Sequence, residues 1–152
     1  VCAIEVDDDF NEIDSFHAFI NPQRKVPWFV TRIHGLNNEF LDDKPIFSDI
    51  GRDLLLFLEG SELWAHNMSF DAGMLNAEFA RNRLPTLEKV DCRLNCTLQL
   101  ARSTFPGQKN SLDALLDRFA IDRSERRLHG AMIDTRLLVK VYQNLVSYKT
   151  QK

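Results

Sequence analysis

The amino-acid sequence predicts a single α/β domain, on three observations. Short apolar segments with strand character alternate with segments whose apolar residues recur at helical spacing. The chain has 152 residues, which suits one domain with one well-buried core. It also contains no internal repeat, linker or low-complexity segment at which a second domain would begin. We therefore expect residues 1–152 to form one domain, in which helices flank a mixed central sheet.

The predicted elements follow from these patterns in chain order. The strands are predicted at residues 1–6, 13–20, 62–65 and 89–93. The helices are predicted from residue 38 to about 44, at 47–58 and 69–83, from the fourth strand to 101, and at 112–119 and 130–145.

Turn and cap residues set the boundaries in the first half of the chain. The run Asp7–Asn11 predicts the turn of a hairpin, and Pro22 and Pro27 bracket a connection predicted to be irregular. Asn37 is a good N-cap for the short helix. Gly60 ends the next helix, because glycine readily adopts the left-handed conformation that follows many helices.

In the second half, Ser69 and Ser111 are predicted to cap the helices that follow them. The first of these helices is expected to face inward with Met74, Leu75 and Phe79. The last helix is expected to do so with residues at steps of four, namely Ile133, Leu137, Val141 and Leu145.

Composition excludes several classes of protein. No apolar run approaches the roughly 20 residues of a membrane span, and residues from Val1 onward lack the pattern of a secretory signal. We therefore expect a cytoplasmic protein without membrane contact. Three cysteines argue against a disulfide framework, and the spacing of Cys92 and Cys96 is not that of a zinc knuckle.

The charge balance bears on possible partners. The formal net charge of −3 is untypical of a freestanding nucleic-acid binder. Basic residues cluster at Arg24–Lys25 and Arg123–Arg127, runs that we interpret as solvated loops. A nucleic-acid substrate would therefore need metal ions or a protein partner for much of its affinity.

Two segments carry candidate chemistry, His66–Asp71 and His129–Asp134. Each pairs a histidine with an aspartate five residues later, at the start of a predicted helix. A carboxylate on a first helical turn suits a hard cation, and a histidine suits proton transfer. Together they predict one nuclease-like site assembled from two places. Taken singly, each aspartate has an ordinary alternative: Asp71 as a complement to the helix dipole, and Asp134 as a solvated helix residue.

The geometry of a helix constrains the second segment. Residues five apart on an ideal helix point about 140° away from each other. His129 is therefore expected on the loop before the helix, from which it could reach a water molecule, while Asp134 projects from the second turn of the helix and holds metal.

These segments lie within a longer ordered set of motifs. The set comprises Ile33-His34-Gly35-Leu36, Glu39-Phe40-Leu41, Lys44-Pro45, His66-Asn67, Phe70-Asp71, Ala101-Arg102, Phe105-Pro106-Gly107, Asn110-Ser111-Leu112-Asp113-Ala114-Leu115, Leu128-His129-Gly130-Ala131 and Asp134. On this set the chain resembles the DEDDh family of 3′→5′ exonucleases, and within it the proofreading (epsilon) branch of bacterial DNA polymerase III.

The resemblance implies a ribonuclease-H-like fold and two divalent ions, Mg²⁺ or Mn²⁺, at the active site. Asp71 and Asp134 would be metal-binding catalytic carboxylates, and His129 would be the general base. The substrate groove would include His34, Asn67 and Phe70. The implied partners are single-stranded or frayed DNA 3′ ends and the catalytic subunit of polymerase III. RNA ends or oligonucleotides are the alternative substrates.

The chain departs from the family pattern at two places. The family's first motif, Asp-x-Glu-Thr-Thr-Gly, lies on a central strand upstream of the segment that Val1–Val6 resembles, and the Asp7–Asp9 run falls in a hairpin turn where it cannot substitute. Cys96 stands where related members usually carry aspartate. We therefore expect an N-terminally incomplete domain of an active enzyme that binds at most one ion weakly. The alternative is a catalytically dead module that docks on nucleic acid or polymerase.

Overall fold

The computed structural model describes residues 1–152 and consists of short strands flanked by helices. The strands are β1 (Cys2–Val6), β2 (Glu12–His17), β3 (Glu62–Ala65) and β4 (Arg93–Cys96). The α-helices are α1 (Trp28–His34), α2 (Asn38–Asp42), α3 (Phe47–Leu58), α4 (Met68–Arg81), α5 (Thr97–Thr104), α6 (Leu112–Arg118) and α7 (Ala131–Thr150). A single 3₁₀ turn spans Glu88–Val90. The predicted α/β class is confirmed.

The strands form two separate two-stranded sheets. β1 pairs antiparallel with β2, so that Ala3 lies opposite Phe16, and β3 pairs in parallel with β4, so that Leu63 lies opposite Leu94. No ladder joins the two pairs, which differs from the single mixed sheet that we expected. Because β1 and β3 each pair on one side only, each leaves an edge with unpaired backbone groups. No strand residue is fully buried.

Two clusters of apolar side chains form the core. The first lies under α3 and α4 around Leu54 and Phe79, and side chains from all four strands pack against its rim. The second joins α5, α6 and α7 through residues that solvent does not reach, among them Leu115 and Val141. Each such fully buried side chain contributes about 1.5–3 kcal/mol. The clusters thus fix α4 against the strands and α7 against α6.

Helix α7 also contacts both sheets. Tyr142 stacks on Trp64 of β3 with ring centroids 4.3 Å apart, and its edge meets Phe10 in the β1–β2 turn. Nearer its start, Met132 lies 3.7 Å from the Cys2 thiol of β1. The first turns of α7 are therefore held at the strands, which positions the side chains that they carry.

Several boundaries differ from the sequence predictions. The segment after Pro27 forms a helix (α1) that was not predicted from the sequence. None of its residues is buried, which explains why it lacks an apolar periodicity. Strand β4 begins at Arg93 and not at residue 89, because Asp91 adopts a left-handed conformation (φ 61°) that ends the preceding turn. The predicted Ser111 cap is confirmed.

Helix α4 shows two further differences. It is preceded by Asn67 in a left-handed conformation (φ 73°), so the predicted Ser69 cap is wrong. Phe79 faces inward as expected, whereas Met74 is exposed. None of the helices combines the length and the apolar character needed to cross a bilayer.

Candidate active site

Asp134 and His129 lie at the start of α7. The helix begins after Gly130, and the backbone N–H of Asp134 donates to the Gly130 carbonyl at 2.9 Å. His129 lies on the preceding loop, where its own N–H donates to the Ile33 carbonyl at 2.9 Å. The histidine lies on the loop, as helix geometry requires, but the carboxylate lies on the first turn and not on the second, because the helix begins only at Ala131.

Arg126 joins these two residues. Its Nε donates to one carboxylate oxygen of Asp134 at 2.5 Å, and Nη2 donates to the other at 3.3 Å. Nη2 also donates to Nδ1 of His129 at 3.1 Å, and Nη1 donates to Asp113 of α6. The Arg126 side chain is only 6% exposed. Hydrogen bonding to Asp134 raises the pKa of Arg126 above its usual value, so this guanidinium is a permanent cation between two carboxylates.

These contacts restrict the chemistry of both residues. A guanidinium has no acceptor, so Nδ1 of His129 must accept the hydrogen bond with its lone pair. Neutral His129 then carries its proton on Nε2 and has no free lone pair for a second proton. Both oxygens of Asp134 are likewise engaged. Each oxygen still has a second lone pair, so Asp134 keeps acceptor capacity for a metal ion beside the cation, whereas His129 in this arrangement has no free nitrogen lone pair.

The structure corrects one interpretation of the basic run. The sequence predicts a solvated loop at Arg123–Arg127, but the side chain of Arg126 is almost fully enclosed, and Asp113 and Asp134 neutralise its charge. Sequence reasoning missed this residue. Two carboxylates in the sequence could have indicated it. Asp113 and Asp134 lie on the first turns of α6 and α7, and two carboxylates that pack close together need a cation such as Arg126 between them.

Asp71 lies on the first turn of α4 and forms no ion pair. The residue as a whole is exposed, but surrounding protein atoms partly desolvate its carboxyl group, which raises the pKa of Asp71. No three or more His, Cys, Asp or Glu side chains lie close enough to share a metal ion. Asp71 and Asp134 are oxygen donors of the kind that Mg²⁺ prefers, but their two charges do not balance two divalent ions. The residues present therefore supply only part of the ligands and charge that a site for two divalent ions requires.

His66, the partner of Asp71 in the sequence pattern, faces the interior. Its Nε2 lies 2.8 Å from the Asn110 carbonyl, to which it must donate, and its Nδ1 lies 2.9 Å from the Thr97 hydroxyl. Burial lowers the pKa of His66 and favours the neutral ring. With both nitrogens engaged, the half-buried His66 ties three segments together and has a structural role, not that of a proton carrier.

The residues expected in the substrate groove occupy two places. His34 ends α1, accepts the Leu36 N–H at its Nδ1, and belongs to the turn that contacts the His129 loop. Asn67 and Phe70 begin α4, where Phe70 is 64% exposed. Asn67 borders a cavity of about 580 Å³ that also includes Cys96 and Arg102.

Cys96, which the resemblance matches to a family aspartate, ends β4 beside the start of α4. Its Sγ accepts the Met68 N–H at 3.4 Å. Desolvation acts to raise the pKa of this thiol, but hydrogen bonds from surrounding backbone N–H groups outweigh it and lower the pKa.

The chain matches the exonuclease family over residues 1–142. It is 46% identical over 138 residues to a DNA polymerase III subunit epsilon of Rickettsia conorii, covering 87% of this chain and 58% of that protein. It is 40% identical over 139 residues to the same subunit of Salmonella typhimurium, covering 90% and 57% respectively. The chain thus spans somewhat more than half the length of the curated relatives that it matches.

Two solved structures are similar in fold. Exonuclease X, in complex with 5′ overhanging duplex DNA, superposes with a TM-score of 0.69 at 25% identity, covering 96% of this chain and 80% of that one. Exonuclease I superposes with a TM-score of 0.77 at 17% identity, covering 96% and 36%. The expected ribonuclease-H-like fold is therefore confirmed, although the strands of this chain form two small sheets.

Proposed function

Because this chain belongs to the exonuclease family, we propose that it hydrolyses terminal phosphodiesters of DNA in the 3′→5′ direction, as a proofreading activity in replication. The observation that carries the proposal is the identity of 40–46% with DNA polymerase III epsilon subunits over nearly the whole chain. The His129–Asp134 segment at the start of α7 supports it, since it places a candidate base beside a candidate metal ligand.

The substrate in this proposal is a single-stranded or frayed DNA 3′ end. Exonuclease X, which shares the fold, was solved with DNA bound, which supports nucleic acid as the ligand. The protein partner would be the catalytic subunit of polymerase III, in keeping with the names of the relatives.

Asp71 and Asp134 would hold divalent cations, Mg²⁺ or Mn²⁺. Such ions would supply Lewis-acid activation of water and stabilise charge on the leaving oxygen. Two ions bring four positive charges, so we propose that the domain is completed by a further strand carrying two more carboxylates. The unpaired edges of β1 and β3 and the lack of any fully buried strand residue support a position between these two strands.

His129 would take the proton from the attacking water. That role requires Arg126 to release Nδ1, because the ring otherwise lacks a free lone pair. His34, Asn67 and Phe70 would contact the substrate, and the exposed ring of Phe70 offers a face on which a base can stack.

The decisive experiment uses the full-length protein and oligonucleotides labelled at either end. Release of mononucleotides from the 3′ end, with Mg²⁺ or Mn²⁺, supports the proposal. Asp134→Asn should lower turnover by several orders of magnitude, and Asp117→Asn, an exposed carboxylate on α6, serves as the control. Release from the 5′ end, or full activity of Asp134→Asn, would overturn it. Faster cleavage of an RNA strand would favour RNA ends as the substrate.

One observation favours a non-catalytic alternative. Arg126 engages both Asp134 and His129, and no three candidate ligands converge. A docking module would bind oligonucleotides or polymerase but remain inactive in full length with either metal. Hydrolysis by the full-length protein would exclude it.

A further inference from the structure

Helix α1 is an exposed element with an unusual surface. None of its residues is buried, and Trp28 and Phe29 are 70% and 56% exposed. Their rings lie edge to face with centroids 6.0 Å apart, and the Arg32 guanidinium lies 5.4 Å from the Trp28 ring. We call Trp28, Phe29 and Arg32 the α1 platform. Exposed aromatic rings beside a guanidinium are the surface on which nucleobases stack.

The charge around the platform is positive, although the whole chain is negative. Residues 21–38 contain Arg24, Lys25 and Arg32 but no aspartate or glutamate. None of these three cations takes part in an ion pair. Unpaired cations along an exposed segment suit the phosphates of a nucleic-acid strand.

The platform is connected directly to the candidate active site. The Ile33 carbonyl, at the end of α1, accepts the backbone N–H of His129 at 2.9 Å. Gly35 adopts a left-handed conformation (φ 76°), and the Leu128 side chain packs against it. A Cβ atom at position 35 would lie only 2.4 Å from Leu128, so this contact requires glycine. With about 1.5 Å of rise per residue, Trp28 lies roughly 8 Å along the helix from Ile33. One or two nucleotides of an extended single strand span this distance.

We propose that the α1 platform binds the single-stranded nucleotides that precede the terminal one, with bases on Trp28 and Phe29 and phosphates on Arg24, Lys25 and Arg32. The inference rests on the proposed exonuclease function and specifies how its substrate strand is held. A nucleic-acid strand suits both features of this surface at once, because its phosphates pair with the cations while its bases stack on the exposed rings.

A binding titration tests the platform without hydrolysis. Trp64 is the other tryptophan of residues 1–152, and Trp64→Phe removes its fluorescence from the full-length protein. The signal of Trp28 is then the part of the fluorescence that a further Trp28→Phe substitution removes. Oligo(dT) added in the absence of divalent ions should quench this signal. Phe29→Ala should raise the Kd about 5- to 150-fold, the range for loss of one base–aromatic stack. Arg24→Gln with Lys25→Gln should lower the salt slope by about 0.7 per lost phosphate contact. Leu56→Ala, an equally exposed apolar residue on α3, is the matched control.

Substrate length provides a second readout. Trp28→Ala and Phe29→Ala should raise KM for a single-stranded oligonucleotide, with kcat little changed. They should leave KM unchanged for the p-nitrophenyl ester of thymidine 5′-monophosphate, which carries no preceding nucleotide and so does not reach α1. Equal KM values for the variants and Leu56→Ala, together with unchanged quenching, would overturn the platform. If the parent protein hydrolysed neither substrate, the proposed function would fail, while the fluorescence titration would still decide the platform.

Discussion

Replacing Arg126 with methionine would remove the cation that contacts Asp134, Asp113 and His129 while keeping a side chain of similar length. Two carboxylates would then face each other across an apolar side chain. Breaking a fully buried ion pair costs about 3–5 kcal/mol. Here Asp134 is 27% exposed and Asp113 50% exposed, so water screens much of the remaining charge.

We therefore expect Arg126→Met to lower the free energy of unfolding by about 1–3 kcal/mol, or Tm by roughly 3–10 °C for a domain of this size. The assay is urea unfolding at neutral pH with a parallel thermal scan. Arg123→Met is the matched control, because its ion pairs with Asp113 and Asp117 are exposed and should contribute less than about 1 kcal/mol.

The same change should free Asp134 for metal. Mn²⁺ should therefore raise Tm more in Arg126→Met than in the parent, and calorimetry should show tighter binding, because binding to the folded state stabilises it by mass action. Arg126→Lys, which keeps the charge without the bidentate geometry, should fall between the two. If Arg126→Met matched Arg123→Met in stability and did not respond more strongly to Mn²⁺, Arg126 would not hold these residues as described.

Three further substitutions test other residues of the site. Asp71→Asn should abolish activity yet stabilise the fold at neutral pH. Desolvation raises the folded pKa of Asp71, so the free energy of unfolding of the parent falls as pH rises above 3.8. Urea unfolding from pH 4 to 7 should show that decrease in the parent but not in the variant. His129→Ala should reduce turnover by roughly 10²–10⁴-fold with unchanged Mn²⁺ affinity; weaker metal binding would instead indicate a ligand. Partial burial lowers the folded pKa of His66, so the parent should lose stability as pH falls below 6.5, and His66→Gln should flatten this dependence. An identical pH profile in the variant would contradict the neutral, half-buried ring.

The sequence alone predicted those features that depend on interactions between residues close together in the chain. The inward face of α7 followed from apolar residues at steps of four, and Leu137, Val141 and Leu145 are buried as that spacing requires. Ser111 caps α6 through a hydrogen bond to an N–H three residues away. The order of motifs also identified the exonuclease family, because it combines many weak local signals along the whole chain.

The tertiary structure decided what depends on residues brought together by packing. Arg126 meets Asp113 and Asp134 only because α6 and α7 pack side by side, so a run predicted to be a solvated loop contains a cation whose side chain is only 6% exposed. His66 turns inward because Thr97 and Asn110, 31 and 44 residues further along, supply its hydrogen bonds. Helix α1 has no buried face, so no apolar period could reveal it. Periodicity and caps report interactions within about one helical turn, whereas ion pairs and buried histidines are selected by partners that are distant in sequence.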